Sequence, residues 1–169
     1  MAGKLQHEIR QTKPFQTLEE EAYLNLERTA DVLARLELET LKAEGLSGAQ
    51  YNVLRILRGA GPAGLPCGEI AARMVTRDPD VTRLLDRLET RGLAQRARDE
   101  RDRRVVTVRI SAGGLRILKK LDRPVLKAHR RQLGHLKQPE LRRLIALLEK
   151  ARHRNRSQAT ARAEPKQGV

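Results

Sequence analysis

Arginines carry most of the chemistry that this sequence suggests. Arg83 and Arg87 are four residues apart in the segment 80–89, so a helix there would place both on one face. A second group lies between two runs of alternating apolar and polar residues and comprises Arg101, Arg103 and Arg104. A guanidinium group donates paired hydrogen bonds that match a phosphate or the edge of a guanine. The two groups therefore predict contacts with a nucleic acid.

The sequence contains none of the common catalytic or metal-binding patterns. It has no Gly-rich phosphate loop, HExxH pair or nucleophile elbow, and its four histidines lack the spacing of metal ligands. We therefore expect no enzymatic activity, no metal and no cofactor. Cys67 is the one cysteine and lies near a predicted helix start, where a thiol pKa can fall. The sequence favours a small structural side chain at this position over a redox sensor.

Charge is abundant and unevenly distributed along the chain. There are 35 Lys and Arg against 21 Asp and Glu, which gives a formal net charge of +14. Residues 94–109 carry six arginines and three acidic groups, whereas residues 17–45 carry eight acidic and three basic groups. A solvated surface in an arginine-rich genome is the alternative interpretation. The segregation and a pI of about 10.9 favour a nucleic-acid partner.

Targeting signals are also missing from the sequence. The N-terminus is polar, and no apolar run approaches the roughly 20 residues that a membrane-spanning helix needs. With a single cysteine, the chain cannot form an internal disulfide. We expect a cytoplasmic protein that associates with the nucleoid and has no membrane partner.

The first half of the sequence predicts four helices. Apolar residues recur at helical spacing from Leu18, which indicates a helix over residues 17–45 after a loosely held arm at 1–16. Ser47 and Gln50 form a capping box that begins a second helix, ending near residue 59. A short third helix covers residues 67–74. The fourth begins after Asp78 or Thr76, with Pro79 in its first turn, and ends at residue 92.

The second half predicts a hairpin followed by two helices. Residues 93–98 and 105–110 have the alternation of half-buried strands, and an almost entirely charged tip joins them. A fifth helix then runs over residues 111–134 and a sixth from about residue 139 to about residue 156. The polar residues 157–169 predict a disordered tail.

The order of these elements, together with their residues, resembles the MarR family of bacterial regulators. The resemblance covers residues 47–114 and is carried by Asp80-Val81-Thr82-Arg83-Leu84-Leu85-Asp86-Arg87-Leu88-Glu89, by Arg91-Gly92-Leu93, by Asp99-Glu100-Arg101-Asp102-Arg103-Arg104 and by Ser111-Ala112-Gly113-Gly114. No single piece is specific, but the combined spacing is. One departure is Arg77-Asp78-Pro79, which places a proline at the start of the helix that resembles the recognition helix.

The resemblance implies a mainly α-helical fold with a small β-hairpin wing. Residues 46–110 would form a winged helix-turn-helix DNA-binding domain, and residues 17–45 and 111–156 a helical dimerisation region. Asp102 would support the wing tip, and Arg104 would enter the minor groove. The candidate DNA-binding residues are Arg77, Thr82, Arg83, Arg87, Arg101, Asp102, Arg103 and Arg104. The candidate dimerisation residues are Leu18, Leu141, Leu144, Ile145 and Leu148.

We therefore expect a homodimeric transcriptional regulator, most simply a repressor, that binds an inverted repeat in double-stranded DNA. The resemblance also implies a small-molecule effector that weakens operator binding, although the sequence is poor in aromatic residues for its pocket. The alternative is an architectural nucleoid protein that coats DNA without sequence preference. An RNA-binding winged helix is less favoured, because side chains read the deep A-form major groove poorly. Asp80 would either orient a neighbouring arginine or accept a hydrogen bond from cytosine.

Overall fold

The computed structural model describes residues 4–78, 80–98 and 106–163, and for residues 98 and 154–163 it describes the backbone alone. The helices are α1 (Lys4–Glu8), α2 (Leu18–Lys42), α3 (Gly48–Ala60), α4 (Cys67–Arg73), α5 (Val81–Thr90), α6 (Ala112–Leu133) and α7 (Gln138–Ala163). The strands are β1 (Leu65–Pro66), β2 (Ala94–Arg98) and β3 (Val106–Ile110). The chain divides into two compact units, residues 1–128 and residues 129–169.

Helix α2 begins where the sequence predicts but buries little of its apolar surface within one chain. Thr17 caps it by accepting a hydrogen bond from the backbone N–H of Glu20. Leu41 is its one fully buried residue, whereas Leu18 is 81% exposed and Leu26 is 48% exposed. An amphipathic helix normally covers its apolar face. Much of the apolar surface of α2 is therefore exposed to solvent within one chain.

The core of the first unit is built by α3, α4 and α5 with the sheet. The predicted capping box is confirmed, because the Ser47 hydroxyl accepts from the Gln50 N–H and the Gln50 side chain accepts from the Ser47 N–H. Leu54 and Leu57 of α3 are fully buried, as is Ile70 of α4. These residues form one apolar cluster with the buried side of α5.

The sheet has three strands, in the order β1-β3-β2, and both pairings are antiparallel. The sequence predicts the β2–β3 hairpin, and its register pairs Ala94 with Ile110 and Arg98 with Val106. It does not predict β1, which is only two residues long and pairs with distant residues of β3. Gly64 makes this approach possible: its φ is +70°, and a Cβ there would lie 2.5 Å from the Val108 carbonyl oxygen.

The predicted start of the fourth helix was wrong by two residues. Helix α5 begins at Val81, and its N-cap is Asp80, whose carboxylate accepts a hydrogen bond from the Arg83 N–H. Asp78 instead accepts from the Asp80 N–H in the preceding turn. The helix therefore begins after both predicted N-caps, Asp78 and Thr76. Pro79 itself lies outside the described residues.

The predicted ends of the chain also need correction. The arm at 1–16 contains α1, and Leu5 on it is only 3% exposed, so the arm is not uniformly loose. In the second unit, α7 continues to Ala163 instead of ending near residue 156. The added segment contains alanine, glutamine and arginine with no proline before Pro165, so nothing in it opposes helix formation. Residues 164–169 lie outside the described part of the chain.

Helix α7 carries the predicted apolar stripe, but with little burial. Leu144 is 37% exposed and Ile145 is 55% exposed, and α7 has no buried residue over the positions whose side chains are described. Across the described residues, no helix combines the length and the low polarity that crossing a membrane requires.

Candidate nucleic-acid interface

Helix α5 has one buried side and one exposed, polar side. Val81, Leu84, Leu85 and Leu88 are 8%, 7%, 1% and 0% exposed and fix the helix to the core. Thr82, Arg83 and Arg87 lie on the exposed side, and Arg77 is exposed in the turn before the helix. Helix α5 therefore presents Thr82, Arg83 and Arg87 on one accessible surface, and side chains of this type can reach bases and phosphates.

Asp80 contacts Arg83 twice. One carboxylate oxygen accepts from the Arg83 backbone N–H at 3.1 Å, and the other lies 3.1 Å from Nε of the same side chain. The acidic group at the start of the helix is therefore engaged by its neighbour, which supports its role in orienting an arginine. The Arg83 side chain remains 77% exposed. Because the ion pair uses Nε, the two terminal nitrogens keep the geometry for a bidentate contact.

Arg96 connects β2 to α5, a role that sequence reasoning missed. Its guanidinium lies 2.6 Å from Asp86 and 2.6 Å from Glu89, both on α5. Its backbone N–H also donates to Glu89 at 2.9 Å. The first strand of the hairpin is thus tied to the exposed side of the helix. Arg96 lies seven residues from Glu89 across a turn, so no periodic pattern indicates the contact.

Charge and hydrogen bonding shift the pKa values of this cluster in opposite directions. The pKa of Glu89 is lowered, first by the hydrogen bond from the Arg96 backbone N–H and then by the Arg96 guanidinium. The pKa of Arg96 is raised, chiefly by its hydrogen bond to Asp86. Both effects favour the ionised forms, so the connection is intact at neutral pH.

Two other arginines also make internal contacts. Arg91, just after α5, donates to the backbone carbonyls of Gly45 at 2.7 Å and Glu44 at 2.8 Å. These acceptors follow the end of α2, where carbonyls lack helical partners. Arg58 of α3 forms a bidentate pair with Asp122 of α6, with both distances 2.9 Å. Part of the basic charge is therefore structural and is not available to a partner.

The tip of the hairpin falls outside the described residues. The four predicted wing residues there are Arg101, Asp102, Arg103 and Arg104. Strand β2 ends at residue 98 and strand β3 begins at residue 106, so the predicted wing residues lie between the two strands in the sequence. The roles assigned to its side chains stay predictions.

A cavity of about 300 Å³ lies between α2 and α3, close to the turn that precedes α5. Its lining includes Leu38, Glu37, Tyr51, Arg55 and Thr76. The Arg55 guanidinium lies 5.8 Å from the centroid of the Tyr51 ring. Burial, the largest cause, raises the pKa of Tyr51 and keeps its hydroxyl neutral. The cavity thus combines apolar walls with one cation, one carboxylate and a phenol.

The described residues contain no cluster of His, Cys, Asp or Glu suited to a metal ion. Cys67 is half-buried and packs against the apolar core. That position fits the expectation of a small structural side chain.

Comparisons with known proteins point to one family. The sequence profile described as MarR family matches residues 44–105. The chain is 36% identical over 77 residues to the HTH-type transcriptional repressor MdtR of Bacillus subtilis, a match to 46% of this chain and 48% of MdtR. It therefore spans about half the length of that curated relative, and 62% of a second one.

Solved structures extend the likeness over most of the chain. A MarR transcription factor from Planctomyces limnophilus is 47% identical, with 80% of this chain and 98% of that chain covered and a TM-score of 0.62. A mutant MarR from E. coli, complexed with operator DNA, is 26% identical over 80% of this chain and 99% of that chain, with a TM-score of 0.71. The predicted fold, mainly helical with a small winged sheet, is confirmed by these matches.

We predict that the Glu89→Gln variant loses less stability than the wild type when the pH is lowered. The pKa of Glu89 is lowered in the folded protein. The ionised carboxylate therefore contributes fully to the free energy of unfolding above the ordinary glutamate pKa of about 4.3, and this contribution is lost as the pH falls through the lower folded value. Urea unfolding of the wild type should therefore show a larger decrease between about pH 5 and pH 3 than the variant shows.

Glu149→Gln is the matched control, because Glu149 is an exposed glutamate on α7, outside the cluster around Arg96. If the free energy of unfolding falls equally steeply with acid pH in the wild type and in Glu89→Gln, the contact between Arg96 and Glu89 adds no stability.

Proposed function

The chain belongs to the MarR family of transcriptional regulators, and from that premise we propose that it binds operator DNA as a homodimer and represses transcription. The exposed side of α5 is the observation that carries the proposal. Arg83 and Arg87 lie there, opposite four buried apolar residues, on a chain with a net charge of +14. A short helix held in this way can enter a major groove and present arginines to guanine edges.

The wing would supply a second contact with the same duplex. We propose that Arg104 enters the minor groove and that Asp102 supports the tip, with Arg101 and Arg103 close to phosphates. An arginine in a narrow minor groove responds to groove width and potential more than to base identity. The contacts between Arg96 and α5 support simultaneous binding of the wing and the recognition helix to one duplex, because they limit movement of the hairpin relative to that helix.

The dimer would form through the apolar surfaces that a single chain leaves exposed. Leu18 on α2 and the α7 stripe of Leu141, Leu144, Ile145 and Leu148 are the residues we assign to it. Leu18 is 81% exposed and Ile145 is 55% exposed. Exposed apolar surface on a helix is typical of interaction sites. A symmetric dimer presents two recognition helices, which is why we expect an inverted repeat in the DNA.

A small molecule would control release from the operator through the cavity between α2 and α3. The lining places Arg55 beside Tyr51, a combination that suits an anionic or aromatic compound. Thr76 also lines the cavity and lies four residues before the N-cap of α5. A compound bound there contacts the turn that leads into the recognition helix, so it can bias the position of that helix. We place this activity in the cytoplasm, on nucleoid DNA.

A non-specific architectural protein is the second candidate. The net charge favours it, because phosphate neutralisation alone supplies sequence-independent affinity. The two functions differ in the ratio of specific to non-specific affinity at fixed salt.

Selection of bound sequences from random duplex DNA tests the proposed function. We expect an inverted repeat whose half-site centres are separated by about 10 base pairs, or one helical turn. The same selection with Arg83→Ala and Arg87→Ala combined should lose the consensus while retaining charge-driven binding. A wild-type selection that yields no consensus would reject the proposal and favour the architectural protein.

Dimerisation through α7 is tested by Leu144→Asp. A carboxylate within an apolar interface is left without a partner, so the variant should be monomeric at concentrations where the wild type is a dimer. Ala146→Asp is the control, since Ala146 is exposed on the opposite side of the same helix. Light scattering gives the mass of each protein. A wild type with the mass of one chain at micromolar concentration would contradict the dimer.

A further inference from the structure

Helix α6 carries a row of positive charge that the proposed operator contacts do not use. Each of its members lies three or four residues from another member, and at about 100° per residue all of them fall within about 100° of the helix circumference, on one face. All are exposed, and we name them the basic stripe: Arg116, Lys119, Lys120, Arg123 and Lys127. Over 11 residues at 1.5 Å per residue, the stripe is about 16 Å long. The opposite face is buried, with Leu118, Leu121 and Val125 at 0%, 2% and 4% exposure.

The stripe has little internal compensation. Asp122 is the one acidic residue between positions 116 and 137, and its carboxylate is held by Arg58 at 2.9 Å. Lys120 has a weak partner, Glu44, at 3.6 Å. No carboxylate among the described residues lies within ion-pair distance of the other four cations. Aligned like charges repel one another, so the arrangement favours an external polyanion.

The stripe lies away from the predicted wing tip. Helix α6 starts directly after β3, and the Ser111 hydroxyl before it donates to the Gly92 carbonyl at the end of α5. The wing tip joins the other end of β3, at residue 106. A duplex that contacts the residues between β2 and β3 would therefore meet the end of β3 opposite to the one that leads into α6.

We propose that the basic stripe binds the phosphate backbone of a second DNA duplex without sequence preference, so that the protein bridges two DNA segments. The composition favours DNA over an acidic protein. Protein–protein interfaces are depleted in lysine and contain aromatic or apolar anchors, whereas protein–DNA interfaces are strongly positive. The stripe has three lysines, two arginines and no aromatic residue. Bridging rests on the proposed function for the first duplex, but binding by the stripe does not.

The first test isolates the stripe from the recognition helix. Full-length protein with Arg83→Ala and Arg87→Ala is titrated with a scrambled duplex at several salt concentrations. Adding Lys119→Gln, Arg123→Gln and Lys127→Gln should reduce the affinity and lower the slope of log affinity against log salt by about 0.9 for each phosphate that the variant no longer neutralises. The control instead adds Lys13→Gln, Arg28→Gln and Lys42→Gln, three exposed cations outside the stripe. An equal decrease in affinity for both proteins would overturn the proposal.

The second test measures bridging directly. The selected operator is immobilised, the protein is bound, and capture of a labelled scrambled duplex is recorded. The wild type and the control triple variant should capture it, whereas the stripe triple variant should bind the operator and capture none. Failure of the wild type to bind the operator would count against the proposed function alone, because the first test needs no operator.

If the wild type binds the operator but captures no second duplex, the proposal of bridging is overturned. If polyglutamate then bound the wild type but not the stripe triple variant, the surface would belong to an acidic protein partner.

Discussion

Burial of one side of α5 is the interaction on which the candidate DNA interface depends. Ten residues are too few for a stable isolated helix, so α5 needs tertiary packing to exist. Val81, Leu84, Leu85 and Leu88 supply it, and each buried aliphatic side chain contributes about 1.5–3 kcal/mol. The same packing fixes which residues face outwards. Arg83 and Arg87 are accessible because they lie on the side of the helix opposite to these buried residues.

Five arginines of this protein fall into two groups with different physical roles. Arg58, Arg91 and Arg96 use their planar guanidinium groups within the chain, in contacts of 2.6–2.9 Å that join helices and strand to one another. Arg83 and Arg87 are exposed on the helix surface. The count of 35 lysines and arginines therefore overstates the number of cations that a nucleic acid can contact. It is the placement of arginines, more than their number, that favours a specific DNA-binding protein.

Local signals in the sequence predict local structure well. The capping box of Ser47 and Gln50 and the apolar side of α5 follow from spacing alone, and both are confirmed. Contacts that depend on tertiary structure do not follow from spacing. Strand β1 is two residues long and exists only through β3, and the Arg96 contacts cross a turn. The start of α5 was misplaced because Asp78 and Asp80 are both good caps, and only the hydrogen bond to Arg83 distinguishes them. The wing contacts stay predictions.

In the proposed complex, α5 reads the major groove while the wing lies in an adjacent minor groove. Methylation of the selected operator by dimethyl sulfate tests it directly, since this reagent reacts with guanine N7 in the major groove and adenine N3 in the minor groove. We expect the protein to protect guanine N7 within each half-site and adenine N3 beside it, with two-fold symmetry. Unprotected guanines within a bound operator would contradict it, because α5 would then lie outside the major groove.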